Sequence, residues 1–166
     1  MALAAEQPAA PEGYSWQTLD PIHASFLLPS GWHFKAERVD KTLAYFLSEE
    51  DIDVKGEFET GLTLNIVHAD DARKKAIATL AMLAQTPGNE VQDAWETQTG
   101  VRKGMGVRIR KTEKGSDPLV MVVLAIANTK TNALYLLIFE SPEARWKKAW
   151  DKGEKMLKLF VLDDEY

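Results

Sequence analysis

Two apolar runs near the carboxyl end of the chain constrain its fold more than any other feature. They are LVMVVLAIA at 119–127 and ALYLLIF at 133–139, and both are apolar at every position. A strand with one face in water alternates apolar and polar residues, so these two strands are predicted to be covered on both faces. The polar segment NTKTN at 128–132 lies between them. Hydrocarbon does not accept such a turn, which predicts a buried antiparallel hairpin and no integral membrane segment.

The rest of the chain combines alternating strands with two helices. Strand-like alternation occurs at 14–19, 25–28, 32–37, 62–67, 91–99 and 103–111. Asp70 or Asp71 is predicted to begin a helix that ends near Gln85, because apolar residues recur at helical spacing and Thr86-Pro87-Gly88 follows.

A second helix is predicted to close the chain, with Ser141 as its N-cap and Pro142 in its first position. Its apolar stripe includes Gly153, whose place on the buried side predicts a close approach of the helix to the sheet. The whole stripe comprises Trp146, Ala149, Trp150, Gly153, Leu157, Phe160 and Val161.

These elements predict an α+β protein, a three-layer α/β/α sandwich with a mainly antiparallel central sheet. The chain has 166 residues, of which 45% are hydrophobic and 27% charged, and this is the composition of one ordinary globular domain. We expect that domain to span residues 14–166.

The first thirteen residues, MALAAEQPAAPEG, are predicted to be a disordered tail. Ala2-Leu3-Ala4 has the A-x-A form of a secretory cleavage site, and a Pro/Ala-rich segment follows it. This pattern predicts a remnant of signal-peptide cleavage and a periplasmic or secreted protein. The alternative is a native amino terminus with a frayed tail.

Charge and composition exclude several classes of function. The net charge of −5 disfavours nucleic acid as a partner, and the absence of cysteine excludes thiolate metal sites and cysteine nucleophiles. His23, His33 and His68 show no metal-ligand spacing, so we expect no metal, no cofactor and no enzymatic activity. DIDVKG at 51–56 starts like a calcium loop, but Lys55 and Leu62 occupy positions five and twelve, where the loop needs oxygen ligands. Low-affinity calcium binding through the neighbouring carboxylates stays open at this point; these are Glu49, Glu50, Asp51 and Asp53.

The most unusual polar segment is RKGMGVRIRK at 102–111. As a strand it places Met105, Val107 and Ile109 on the core face, with arginines and glycines on the other. Arg102, Arg108 and Arg110 could hold an anionic group of a partner through bidentate hydrogen bonds. Alternatively, these charges protect an edge strand from pairing with other chains, and the glycines mark a bulge.

The five tryptophans lie on the apolar phase of their elements and are predicted to pack in the core. They are Trp16, Trp32, Trp95, Trp146 and Trp150. A binding platform would require them on the opposite phase.

Several stretches together resemble the PsbP-like superfamily, which includes PsbP, the Ran-binding Mog proteins and bacterial DcrB-type proteins. They are the strand ending in LLPSGW, the helix after GLTLNIV, the late apolar hairpin and the closing segment FESPEARWKKAWDKGEKMLKLFVLDDEY. The resemblance covers 14–166 and implies a helix-covered antiparallel sheet without enzymatic activity that binds a protein partner.

From the resemblance and the cleavage-like motif we expect an exported protein-binding or assembly module of the bacterial envelope. A cytosolic chaperone or adaptor for a secreted effector is the alternative. A hydrolase with an unrecognised acidic site is a third, weaker alternative.

Overall fold

The computed structural model describes residues 7–166, which form nine strands and three α-helices. The strands are β1 (Tyr14–Leu19), β2 (Ala24–Pro29), β3 (His33–Val39), β4 (Thr42–Ser48), β5 (Gly61–His68), β6 (Asn89–Thr99), β7 (Arg102–Lys111), β8 (Leu119–Asn128) and β9 (Ala133–Pro142). The helices are α1 (Ile52–Lys55), α2 (Ala72–Gln85) and α3 (Trp146–Lys158).

Seven strands form one antiparallel sheet in the order β3-β4-β5-β9-β8-β7-β6, and β1 and β2 form a separate two-stranded sheet. The two apolar runs are β8 and β9, an antiparallel pair near the middle of the large sheet. Helix α2 covers one face of this sheet, while α3 and the β1-β2 hairpin cover the other. The predicted three-layer α+β sandwich is therefore confirmed, with a small sheet as part of one outer layer.

Helix α2 begins where the sequence predicts. Asp71 is its N-cap, and the Asp71 carboxylate accepts a hydrogen bond of 2.9 Å from the main-chain N–H of Lys74. Ala72, Ala76 and Leu80 are buried against β7, β8 and β9. This local capping and spacing explain why the helix could be located from sequence.

The predicted start of the closing helix is wrong. Ser141 and Pro142 belong to β9, where they pair with Val120 and Leu119, and α3 begins at Trp146 after a 3-10 turn. The Ser141 hydroxyl lies 3.0 Å from the Thr60 hydroxyl in a buried pair. The serine therefore has a partner within the core and does not cap a helix.

Gly153 confirms the predicted close approach of α3 to the sheet. A Cβ atom on Gly153 would lie 2.5 to 2.7 Å from three atoms of the Phe139 ring. Phe139 is fully buried, with Trp32 stacked at 6.4 Å and Trp146 edge-on at 6.0 Å between ring centroids. The glycine thus lets the helix backbone rest on an aromatic cluster.

The amino-terminal segment contacts the small sheet. The cleavage-like motif Ala2-Leu3-Ala4 lies outside the described residues. Within 7–13, the main-chain oxygen of Pro8 accepts a 2.7 Å hydrogen bond from the Trp16 indole, and Ala10 packs against the core. The boundary between tail and domain at residue 14 stays a prediction, and these contacts show that the residues just before it touch the domain.

Candidate binding groove

A groove of about 510 Å³ lies between α3 and the strands β6, β7 and β8. Val122, Leu124 and Ile126 of β8 form its apolar floor. The α3 side contributes Trp150, Glu154, Leu157 and Lys158, with Phe160 just beyond the helix. The strand side contributes Trp95, Thr97 and Thr99 of β6 with Arg102 and Gly104 of β7. We call this set of residues the α3 groove.

The groove exists because α3 does not lie over the whole sheet. Helix α3 packs on β9 and on β2, and leaves the same face of β6 and β7 without a helix above it. The result is a depression beside α3, at the bottom of which lie Val122, Leu124 and Ile126, which are themselves buried. An apolar concave surface with a few polar groups at its rim is the usual form of a binding site.

Two glycines of β7 shape the strand side of the groove. Trp95 is the cross-strand partner of Gly106, and its ring lies flat over that residue: a Cβ on Gly106 would lie 2.1 Å from the indole. Thr97 is paired with Gly104 in the same way, with a corresponding distance of 2.9 Å to its methyl group. The glycines thus allow the β6 side chains to lie down on β7, which keeps the groove open above them.

Trp95, Trp150 and Trp16 correct the prediction that all five tryptophans are core residues. Trp95 is 38% exposed, and Trp150 and Trp16 are only partly buried. One face of Trp150 stacks on Trp146 at 5.2 Å between centroids, while its ring also borders the groove. Trp95 is on the same sheet face as the core residues of β8 but sits on the edge strand, where no element covers it.

Charged side chains at the groove rim are paired with one another. Lys158 donates a 2.7 Å hydrogen bond to Glu154 one helical turn earlier. Arg102 Nε lies 2.9 Å from Asp164 Oδ1, an ion pair that lacks the alignment of a hydrogen bond. The rim is therefore close to neutral, and the apolar floor is the dominant chemical feature of the site.

The structure separates the three arginines that the sequence pattern grouped together. Arg102 lines the groove, whereas the Arg108 guanidinium lies 5.2 Å from the centroid of the Trp146 ring. Arg110 makes a bidentate pair with Glu143, at 2.7 Å and 2.9 Å. The Arg110 guanidinium also lowers the pKa of the Glu143 carboxyl. An anion site formed by all three arginines stays a prediction that these separate partners do not support.

The alternative reading of these charges as edge protection is wrong. Strand β7 pairs with β6 on one side and with β8 on the other, so β6 is the edge strand. The arginines alternate with Val107 and Ile109, as the pattern predicts, and these two residues are buried on the α2 face. The glycines mark the contact with Trp95 and Thr97, while the register shift lies in β6, between Val91 and Asp93.

The acidic residues near position 50 have protein partners. The Asp51 carboxylate caps α1 through the N–H of Asp53, at 3.0 Å, and Asp53 forms a 2.9 Å salt bridge with Lys35. The Glu50 side chain is 9% exposed and accepts hydrogen bonds from the N–H groups of Glu59 and Thr60, both at 3.1 Å.

Burial alone would raise the pKa of Glu50, but these N–H donors and Arg145 lower it. Arg145 lies 3.4 Å from Glu50 and 3.9 Å from Glu49. The cluster therefore joins the end of β4 to the start of α3, which is a structural role. Among residues 7–166, no three histidine or acidic side chains come together as metal ligands.

The histidines lie apart from one another and from the groove. His23 Nδ1 lies 3.1 Å from Asp163, and His33 Nδ1 lies 3.7 Å from Asp51. The His68 ring packs on Tyr166 at 5.4 Å between centroids. No helix in the described part of the chain is long and apolar enough to cross a membrane.

The comparisons with known proteins rest on structure. No protein-family model and no curated protein sequence matches the chain. The solution structure of PsbP from the cyanobacterium Synechocystis sp. PCC 6803 is similar, with a TM-score of 0.59 and 12% identity, over 97% of this chain and 99% of PsbP.

Two further solved structures are similar over most of their length. The Ran-binding protein Mog1p of Saccharomyces cerevisiae has a TM-score of 0.58 and 14% identity, over 90% of this chain and 95% of Mog1p. LpqN of Mycobacterium tuberculosis, which is involved in cell envelope biogenesis, has a TM-score of 0.58 and 12% identity, over 90% of this chain and 91% of LpqN. At these identities the likeness establishes the architecture alone. The chain therefore shares the fold of PsbP, Mog1p and LpqN, as the resemblance of its sequence implies.

Proposed function

We propose that this chain is a non-enzymatic binding module that takes an apolar segment of a protein partner into the α3 groove. The observation that carries the proposal is a concave surface bordered by the apolar residues Val122, Leu124 and Ile126 of β8, with two partly exposed tryptophans, Trp95 and Trp150, at its sides. Exposed aromatic residues in a concave apolar site are typical anchors of protein interfaces.

The similar structures support a binding role. Mog1p is a Ran-binding protein, and LpqN is involved in cell envelope biogenesis. Neither description names a reaction. We propose further that our protein is an exported component of the bacterial envelope. The sequence support for export is the A-x-A motif at Ala2-Leu3-Ala4.

A matched pair of variants tests the groove. Thr97 points into it, whereas the adjacent Gln98 lies on the opposite face of the same edge strand. We expect Thr97→Arg to fill the groove and abolish capture of the partner from a native envelope extract. Gln98→Arg adds the same side chain to the same strand, and we expect it to retain the captured protein. The captured protein is then purified, and its affinity for both variants is measured by calorimetry.

Two results would contradict the proposal. One is equal affinity of the partner for the Thr97→Arg and Gln98→Arg proteins, both with unchanged melting temperatures. The other is a turnover activity that survives purification and is lost on substitution of groove residues. Export is tested separately, by fractionation of the native cells with an antibody against the protein; recovery in the cytoplasm would favour a cytosolic adaptor.

A further inference from the structure

The edge strand β6 is long, and its outer side is open. It has eleven residues, ten of which are exposed, and within the described residues no other strand pairs with its outer side. Its only irregularity is the register shift between Val91 and Asp93, and the stretch from Ala94 to Thr99 pairs regularly with β7. Natural edge strands are usually short, or they carry bulges, proline or charged side chains, lysine above all, which discourage pairing with another chain.

The opposite edge of the same sheet shows that protection. Strand β3 has seven residues and carries Lys35 and Arg38, and Lys35 is held by salt bridges to Glu37 and Asp53. Strand β6 contains no lysine, arginine or proline. The two edges therefore differ in the features that oppose strand addition.

The hydrogen-bonding direction along β6 follows from its turn. Gly100 and Val101 form a two-residue hairpin loop with Gly100 at φ 58°, which makes Thr99 and Arg102 a hydrogen-bonded pair. By alternation, the main-chain groups of Ala94, Glu96 and Gln98 point away from β7. The Ala94 N–H agrees with this direction, because it donates to the Asp93 carboxylate at 2.9 Å.

The charge of the edge selects its partner. Glu90, Asp93 and Glu96 all lie on β6; Glu90 and Asp93 lie opposite Arg110 and Arg108 of β7, whereas Glu96 lies opposite Met105. Two copies of β6 paired antiparallel about Glu96 would place the two Glu96 carboxylates opposite each other, in a protein whose net charge is already −5. Like charges across a strand pair are destabilising, whereas opposite charges stabilise it. The edge is thus suited to a basic strand and opposes self-pairing.

We propose that β6 binds an extended, basic segment of a partner protein as an added antiparallel strand. This inference rests on the proposed function, since it states how the partner is held beside the α3 groove. Side chains of the added strand on the groove face lie next to Asp93, Trp95 and Thr97, and those on the other face lie next to Glu96. A suitable segment has lysines beside Glu96 and Asp93 and an aromatic residue beside Trp95. TVKFTK is one such sequence when it runs antiparallel to β6, with its first residue beside Gln98 and its last beside Asp93.

The probe is an acetylated and amidated fluorescent peptide with the core TVKFTK, and its binding to the full chain is measured by anisotropy. We expect TVKFTK to bind at least about tenfold more tightly than TVEFTE, because two attractive pairs become repulsive. Gln98→Pro removes one outward N–H and is expected to weaken binding by about tenfold. Gln98→Ala removes the same side chain, keeps the N–H, and is expected to bind like the parent.

A charge exchange tests the register. Glu96→Lys should prefer TVEFTK to TVKFTE, two peptides with identical charge and composition, because only the first places glutamate beside position 96. Equal affinity of this variant for the two peptides, or equal affinity of the Gln98→Pro and Gln98→Ala proteins for TVKFTK with matching melting temperatures, would overturn the inference.

The two proposals fail in different ways. If the captured partner depends on Thr97 but is indifferent to Gln98→Pro, the groove function stands and strand addition is wrong. If TVKFTK binds with the expected register but no partner is sensitive to Thr97→Arg, the groove function is wrong and strand addition stands.

Discussion

Replacement of Gly153 by alanine sets two effects of opposite sign against each other. In a helix interior, alanine is more favourable than glycine by about 1 kcal/mol, so an unhindered site would gain stability. Here the new Cβ would lie 2.5 to 2.7 Å from the Phe139 ring, whereas carbon atoms normally approach to about 3.5–4.0 Å. Either the ring or α3 must move by about 1 Å.

Phe139 has little freedom to move. It is fully buried, and Trp32, Trp146 and Trp150 surround it with centroid distances of 6.4, 6.0 and 5.8 Å. Insertion of a methyl group into a packed core costs about 1–3 kcal/mol, and here the clash involves three ring atoms at once. We therefore expect Gly153→Ala to lower the free energy of unfolding by about 1–2 kcal/mol, since the clash exceeds the gain in helix propensity.

A double-mutant cycle separates the two effects. Phe139→Leu destabilises the protein by itself but removes the ring atoms that the methyl group would meet. In that background we expect Gly153→Ala to be stabilising by about 1 kcal/mol, which gives a coupling energy of about 2–3 kcal/mol. Urea denaturation of the four proteins gives all the free energies. If Gly153→Ala stabilised both backgrounds equally, α3 would not rest on Phe139 as described.

Three further predictions concern the buried polar groups. Asn128 is fully buried, and its amide makes four hydrogen bonds of 2.9 to 3.2 Å to main-chain atoms of the following turn and of the segment after α3. We expect Asn128→Ala to lower the free energy of unfolding by about 2–4 kcal/mol, as measured by urea denaturation. Thr60→Val should lower the free energy of unfolding by about 1–3 kcal/mol, because it leaves the buried Ser141 hydroxyl without a partner. Adding Ser141→Ala should recover part of that stability. A double variant that is less stable than Thr60→Val would argue against the hydroxyl pair. Burial, followed by the nearby negative charge at Tyr166, raises the pKa of Tyr135 to about 12. Because this phenol ionises near pH 10 in the unfolded chain, its contribution to stability is complete below pH 10 and is lost as the pH rises to about 12. We therefore expect the urea midpoint of the parent protein to fall over this range relative to the midpoint of Tyr135→Phe. An equal fall in both proteins would contradict the reasoning.

The candidate site was only partly predictable from sequence. The pattern RKGMGVRIRK correctly indicates which residues of β7 face the core, but it contains no information about which strand becomes the edge. Trp95 illustrates the same limit, because its phase on β6 is that of a core residue and its exposure depends on the absence of a covering helix. Gly106 lies opposite Trp95 and leaves room for the indole to lie over β7, but this can be inferred from the sequence only when the β6-β7 register is known.

Features set by neighbours along the chain are those that the sequence alone determines. The hairpin of β8 and β9, the Asp71 cap of α2 and the contact surface at Gly153 follow from periodicity, capping and side-chain size, which act over a few residues. Ser141 shows where this ends: its local pattern is that of a helix cap, but pairing of β9 with β8 and the hydroxyl of Thr60 outweigh it. The α3 groove and the open edge of β6 were decided by tertiary structure only, because the position of a helix over a sheet and the order of its strands depend on contacts between residues far apart in the chain.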